Sequence, residues 1–259
     1  MSEFISAIDY VIIRTTNFTV ACESYAAILD SDPLIEAPDG QVRSAFFLTN
    51  NIGVKLIEGN ADDGLAGLVL RGTSGPAIRR RLQRVGLGGT ETPATASSTG
   101  PLMFELPLAQ TRGLALGITS EAPLSAPAVS AQRASALELD HIVIATDQPE
   151  HTSFLWAAQL GLDLRMDLSN ADWNSRLLFF RCGNAIVEIY SALKKARISD
   201  ADRFFGLTWR VANLAATHRR LLSRGFDTSD IRVGRKPGTS VFTLKTGAEH
   251  VPTLFIGPT

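Results

Sequence analysis

The sequence predicts an α+β protein made of four copies of one strand-helix-strand-strand-strand unit. Three observations predict it. The two halves of the chain resemble each other, each repeat moves from strand alternation to helical spacing and back, and a low-charge Ala/Ser/Pro stretch separates the halves. IDYVII (Ile8 to Ile13) lies over LDHIVI (Leu139 to Ile144) at a spacing of 131, from Asp9 to Asp140, which also brings YAAIL (Tyr25 to Leu29) over WAAQL (Trp156 to Leu160). FFLTNNIGVKLI (Phe46 to Ile57) lies over FFRCGNAIVEIY (Phe179 to Tyr190) at a spacing of 133, with the slippage falling in a loop. A fainter pair, GLVLRGTSGPAIRRRLQRVGL (Gly67 to Leu87) and GLTWRVANLAATHRRLLSRGF (Gly206 to Phe226), is spaced by 139. The order is therefore A, B, A′, B′.

The elements are clearest in A′. Ile142 and Ile144 alternate with His141 and Val143 in a strand from Leu139 to Ala145. Asp147 or Gln148 sits where a helix cap belongs, Pro149 suits the first turn, and Phe154, Leu155, Ala158 and Leu160 carry the apolar spacing until Gly161. Strands follow at Arg176 to Arg181 and Ala185 to Tyr190, with a weaker one near Leu164 to Leu168. In B and B′ a strand leads to a cap (Ser74; Asn213), a helix and a stopping glycine (Gly86; Gly225). Further strands are expected at Leu102 to Leu106, Gly113 to Ile118, Val241 to Lys245 and Thr253 to Ile256. Thr90 to Gly100 reads as a loop. Glu121 to Ala136 reads as a linker, which gives an amino-terminal domain over residues 1–119, a linker over 120–136 and a carboxy-terminal domain over 137–259.

Composition narrows the function classes. A formal charge of −1 over 259 residues, with both signs mixed, offers no electropositive field for nucleic acid or an anionic membrane. The run Arg79, Arg80, Arg81, Arg84 reads as the solvated face of a helix. No apolar run reaches the roughly 20 residues of a membrane helix, and Met1 to Tyr10 does not read as a signal peptide, so a cytoplasmic protein is expected. Cys22 and Cys182 lack metal-site spacing and fit free thiols in a reducing compartment. The expected partner is a small molecule, with a homodimer as an open alternative.

His141 on the first strand of A′ and Glu188 on its last are each the ionisable group in the middle of an apolar strand. A buried carboxylate needs a cavity, a partner or a cation, which makes this pair the candidate metal site. Four units headed by LDHIVI resemble the vicinal oxygen chelate superfamily, which includes glyoxalase I, extradiol dioxygenases and bleomycin-binding proteins. The resemblance implies two cup-shaped, mostly antiparallel sheets with helices on their convex faces. It also implies one divalent ion (Fe, Mn, Zn, Ni or Mg) held by a His or Gln from a first strand and a Glu from a last strand. His141 and Glu188 match those positions. Gly206 and Leu254, or its neighbours Thr253 and Phe255, stand at them in B′, Tyr10 and Lys55 in A, and Gly67 and roughly Ala115 in B. The first half is thus expected to be metal-free, and the missing B′ ligands disfavour the 2-His-1-carboxylate iron face of ring-cleaving enzymes.

His151, His218 and His250 are the remaining histidines, none at a family ligand position. Strand alternation puts Thr208 and Arg210 on the open face of B′ with Gly206, and turns Leu207, Trp209 and Val211 to the helix. Arg210 suits an anionic oxygen of a substrate or a structural partnership, and Arg14 and Arg71 hold related strand positions. Lys236, with Arg235 before the turn pair Pro237 and Gly238, brings cations to the mouth of the site or to a solvated hairpin. Tyr190, Phe180, Trp173 and Trp209 are aromatic candidates for lining a pocket or filling the core. Three functions follow: a metal-dependent lyase or isomerase with Glu188 moving a proton, a metal-free binding protein of the bleomycin-resistance type, and an Fe(II) dioxygenase.

Overall fold

Every unit buries one side of its strands under a helix. In a computed structural model, which describes residues 4–36, 42–93, 102–120, 137–183, 185–194 and 199–259, the first half runs β1 (Ile5–Thr15), α1 (Phe18–Leu29), β2 (Leu34–Glu36), β3 (Ser44–Leu48), β4 (Gly53–Glu58), β5 (Gly64–Gly72), α2 (Gly75–Arg84), β6 (Thr90–Pro93), β7 (Leu102–Glu105), β8 (Leu116–Ser120). The second half runs β9 (Glu138–Ala145), α3 (Pro149–Ser153) with a π-helical continuation Phe154–Gln159, β10 (Asp163–Asn170), β11 (Ser175–Cys182), β12 (Ala185–Ala192), β13 (Arg203–Arg210), α4 (Leu214–Ser223), β14 (Arg232–Val233), β15 (Thr239–Leu244), β16 (Thr253–Pro258). The expected linker, Glu121 to Ala136, lies outside the described residues.

The strands form two eight-stranded sheets, in the orders β2-β3-β4-β1-β5-β8-β7-β6 and β10-β11-β12-β9-β13-β16-β15-β14. The orders are identical when the halves are laid over each other, so the repeat read from the sequence is a repeat of topology. β5 pairs with β8 and β13 with β16 in parallel, while the other registered pairs are antiparallel. Thr90–Pro93, expected in a loop, is an edge strand on β7, because its extended residues pair with Leu102–Glu105.

Capping follows the expected chemistry. The Ser74 and Asn213 side chains accept from the Ala77 and Ala216 N–H groups at 3.3 and 2.9 Å. Gly86 and Gly225 end α2 and α4 at φ of 69° and 85°, the left-handed region that glycine enters without steric cost. Asn17 caps α1, and Gln148 precedes α3 without a side-chain cap bond.

The packing gathers the chain into two compact units, each drawing on both halves: Met1–Tyr10, Gly67–Ser125 and Ile142–Phe204 in one, Val11–Ala66, Ala126–His141 and Phe205–Thr259 in the other. In the first, Arg81 of α2 donates to the carbonyls of Ala158 and Gln159 at the end of the helix that begins with α3. In the same unit the Arg112 guanidinium lies 3.1 Å from buried Asp202, which also accepts from Thr152 at 2.9 Å. In the second, Arg220 of α4 donates to the carbonyls of Ala27 and Ile28 at the end of α1. The Tyr25 hydroxyl in that unit donates to Ala248 O, 3.2 Å away. Arg81 and Arg220 are equivalent in the repeat, as are the carbonyls they reach. Each places a cation on the negative end of a helix and satisfies carbonyls that have no partner within it. The arginine run is thus more than a solvated face: Arg81 holds a helix end and Arg79 pairs with Glu91 at 2.7 Å, while Arg80 and Arg84 are exposed.

Removing either helix-end cation should therefore cost stability out of proportion to its exposure. Arg81→Met and Arg220→Met are each expected to lower unfolding free energy by about 1–3 kcal/mol in urea titrations, whereas Arg80→Met changes it by about 0.5 kcal/mol or less.

Candidate functional site

β12 shows how one carboxylate comes to stand on an apolar sheet. Val187 and Ile189 are fully buried on one side, while Ile186, Glu188, Tyr190 and Ala192 alternate with them on the less buried side. The register with β11 puts Phe179 opposite Glu188 and Leu177 opposite Tyr190. β10 adds Met166 opposite Phe179 and Leu168 opposite Leu177 after a bulge at Arg165, both exposed. Glu188 thus stands on a face of Met, Leu, Phe and Tyr side chains. Phe180, a candidate pocket residue by sequence, pairs with Val187 on the other face and has no exposed surface. Its neighbour Phe179 takes the open-face place because strand parity, not residue type, decides it.

β9 departs from strict alternation. Ile142 and Ile144 are buried as expected, but Leu139 is buried too, so Asp140 and His141 are consecutive part-exposed residues. Their side chains meet: His141 Nδ1 lies 3.0 Å from Asp140 Oδ1. Arg210 Nε donates to Asp140 Oδ2 at 3.2 Å, and Arg210 Nη1 lies 3.5 Å from Glu138. Burial pushes the Asp140 carboxyl up, but the hydrogen-bonded His141 ring, Arg210 and Lys236 outweigh it and leave Asp140 below its ordinary value. Arg210 is therefore engaged with acidic side chains of β9. The same pair occurs in the first sheet, where Arg71 Nη2 lies 2.7 Å from Asp9, which makes the arginine a feature of the scaffold.

Lys236 sits in the turn expected at Pro237–Gly238. Gly238 has φ of 72°, and the Lys236 carbonyl accepts from both the N–H and the hydroxyl of Thr239, at 3.2 and 2.6 Å. Thr208, expected on the open face, and Trp209, expected toward the helix, are both buried, so burial does not separate the two sides at this point of β13, and Trp173 is exposed in the β10–β11 turn. Gly206 is closely packed: a Cβ there would meet Pro252 O at 2.4 Å. Leu254 lies opposite Thr208.

The remaining histidines have other settings. His218 Nε2 lies 3.1 Å from Ser229 O, with its ring edge-on to Phe242 at 4.8 Å, on the face covered by α4. His151 Nδ1 is 2.5 Å from Gln148 on the surface. His250 is exposed and, like Glu249, has a positive φ. Among the described residues no three His, Cys, Asp or Glu side chains gather as metal ligands. Burial pushes the Cys182 thiol up to about 12, which removes it as a nucleophile.

No protein-family model matches the sequence, and no curated protein does. Solved structures do resemble the fold. A triple mutant of 4-hydroxymandelate synthase from Streptomyces coelicolor aligns over 100% of this chain and 94% of its own, with a TM-score of 0.77 at 13% identity. The Mn(II)-bound glyoxalase from Novosphingobium aromaticivorans aligns over 99% and 83%, with a TM-score of 0.72 at 15% identity. A halotolerant catechol dioxygenase aligns over 99% and 88%, with a TM-score of 0.69 at 11% identity. The chain has the vicinal oxygen chelate fold, with two sheets of paired units and helices on one face of each.

The loop before β16 supplies a pH test. Burial and the neighbouring Asp63 carboxylate hold the Glu249 carboxyl above its ordinary value, against the opposing pull of His250 and Thr15. A carboxyl raised on folding contributes stability below its unfolded pKa, and that contribution is lost as pH rises through the folded value. Glu249→Gln is therefore expected to gain melting temperature over wild type at pH ~7.5 relative to the difference at pH ~4, read by scanning calorimetry at both.

Proposed function

We propose that the second sheet carries the working site of a divalent-metal-dependent lyase or isomerase acting on a small substrate with vicinal oxygens. The observation that carries the reading is Glu188, a carboxylate standing among Phe179, Tyr190, Met166 and Leu168 on the less buried face of its strand. Such a surface receives the organic part of a small substrate while the carboxylate meets its reacting carbon. His141, on β9 next to β12 in the sheet, is the proposed second donor. One imidazole nitrogen and one carboxylate suit Fe, Mn, Zn or Ni, with water and substrate oxygens as further ligands. When bound, such an ion polarises the substrate oxygens and acidifies the carbon beside them. Glu188 takes or returns the proton at that carbon. Tyr190, on the same face, and Lys236, whose backbone the Thr239 bonds fix, orient the substrate, and Arg210 acts through Asp140.

A metal-free binding protein is the second reading, favoured by the two-donor set. The Fe(II) dioxygenase reading lacks support in Gly206 and Leu254, neither of which offers a donor atom.

Elemental analysis of freshly purified wild type beside His141→Ala and Glu188→Ala tests the proposal. About one divalent ion per chain is expected in wild type and its loss in both variants, with added Mn(II) or Zn(II) raising the wild-type melting temperature alone. A wild type that is empty and unmoved by added ions sinks the metal reading in favour of ligand sequestration.

A further inference from the structure

The loops that lead into β8 and β16 are equivalent in the repeat, yet they carry opposite charges. β8 stands beside β5 as β16 stands beside β13, with Leu68 opposite Leu116 and Leu207 opposite Thr253. That register lays Arg112 over Glu249 and Gly113 over His250 at a spacing of 137, and Asp63 lies over Asp202 at 139. The backbone agrees: Arg112, Gly113, Glu249 and His250 have φ of 58°, 88°, 48° and 61°. In one unit Arg112 meets buried Asp202 as an ion pair at 3.1 Å. In the other, Asp63 meets Glu249, a second carboxyl where the repeat has a guanidinium.

Two ionised carboxylates in contact repel, and a proton on one of them turns the contact into a hydrogen bond. The Thr16 N–H donates to Asp63 Oδ1 at 2.6 Å, which suits an ionised acceptor and leaves Glu249 as the group that carries the proton. We propose that Asp63 and Glu249 share one proton as a pH-sensitive latch between the β4–β5 and β15–β16 loops, holding with a proton what Arg112 holds with a guanidinium in the other unit. The groups facing Glu249 besides Asp63 are Thr15 at the end of β1, His250 next in the chain, and Tyr25 of α1, whose hydroxyl donates to Ala248 O. Of these, His250 and Thr15 favour an ionised Glu249, and burial with Asp63 outweighs them. As pH rises through the apparent value of the pair, the proton passes to water, the two charges repel and the loops part. The latch lies within one unit and does not depend on the metal chemistry proposed above.

The test is carbon-13 NMR of the side-chain carboxyls of the full chain against pH. Glu249 is assigned by its loss in Glu249→Gln, and a His250→Gln background removes the titration of the neighbouring ring. Asp63→Asn is expected to lower the Glu249 midpoint, and a midpoint that stays in place overturns the shared proton. Amide exchange, corrected for its intrinsic pH dependence, reads the latch at Thr16, which donates to Asp63, and at Val251, which donates to Ala248 O within the β15–β16 loop. Wild type is expected to lose protection at both amides above the Glu249 midpoint. Glu249→Arg, which writes in the ion pair of the other unit, is expected to keep it, as is Glu249→Gln, which donates at every pH and serves if the arginine variant fails to fold. Wild-type protection that is unchanged across the midpoint, or that falls equally in the variants, overturns the latch even if Asp63→Asn fails to fold.

Discussion

The carboxylate-arginine pair between neighbouring first strands is the constraint on which each sheet turns. β1 and β5, and β9 and β13, are the neighbouring strands that open successive sequence repeats, and an aspartate on the first of each pair binds an arginine on the second. Asp9 is buried, and leaving such a carboxylate unpaired costs more than the pair itself contributes. The pair therefore specifies which strand lies beside which more than it adds stability. Arg81 and Arg220 play the matching part among the helices, where the cation of one helix closes the carbonyl end of another.

A repeated scaffold also shows where the chain departs from repetition. The second sheet has His141, Glu188 and Ile256 where the first has Tyr10, Lys55 and Thr119. Two of these substitutions, His141 and Ile256, adjoin one aspartate-arginine pair: His141 follows Asp140, and Ile256 lies opposite Arg210. In the first sheet the Asp9 carboxylate is fully used in holding strands together. In the second, one oxygen still serves the strands and the other serves an imidazole. The second sheet alters the neighbours of a structural ion pair while the pair itself is kept.

Much of the fold was legible because its signals are local. Strand alternation, Ser74 and Asn213 as caps, Gly86 and Gly225 as stops, and the turn at Pro237–Gly238 each act over a few residues. For the candidate site the sequence offers residue types more readily than the side of the sheet each one takes. Phe180 and Phe179 exchange faces with a one-residue change of strand parity, and the bulge at Arg165 and the break at Asp140 both disturb alternation. For Arg210 the sequence leaves a substrate oxygen and a structural partnership both open, because the Asp140 it meets lies 70 residues away. The repeat itself held the missing signal: Asp9 with Arg71 and Asp140 with Arg210 recur at the same offsets as the strands that carry them.

Gly206 shows how closely the backbones of the second sheet approach beside its parallel pair. The backbone oxygen of Pro252 occupies the space that a side chain there would need, and β13 and β16 are held together at that point by the Leu207 N–H donating to Pro252 O at 2.9 Å. Writing a histidine at that position would push two parallel strands apart before any metal could gain from it. Any side chain at position 206 thus requires β13 and β16 to part first, which makes this glycine a fixed point of the second sheet.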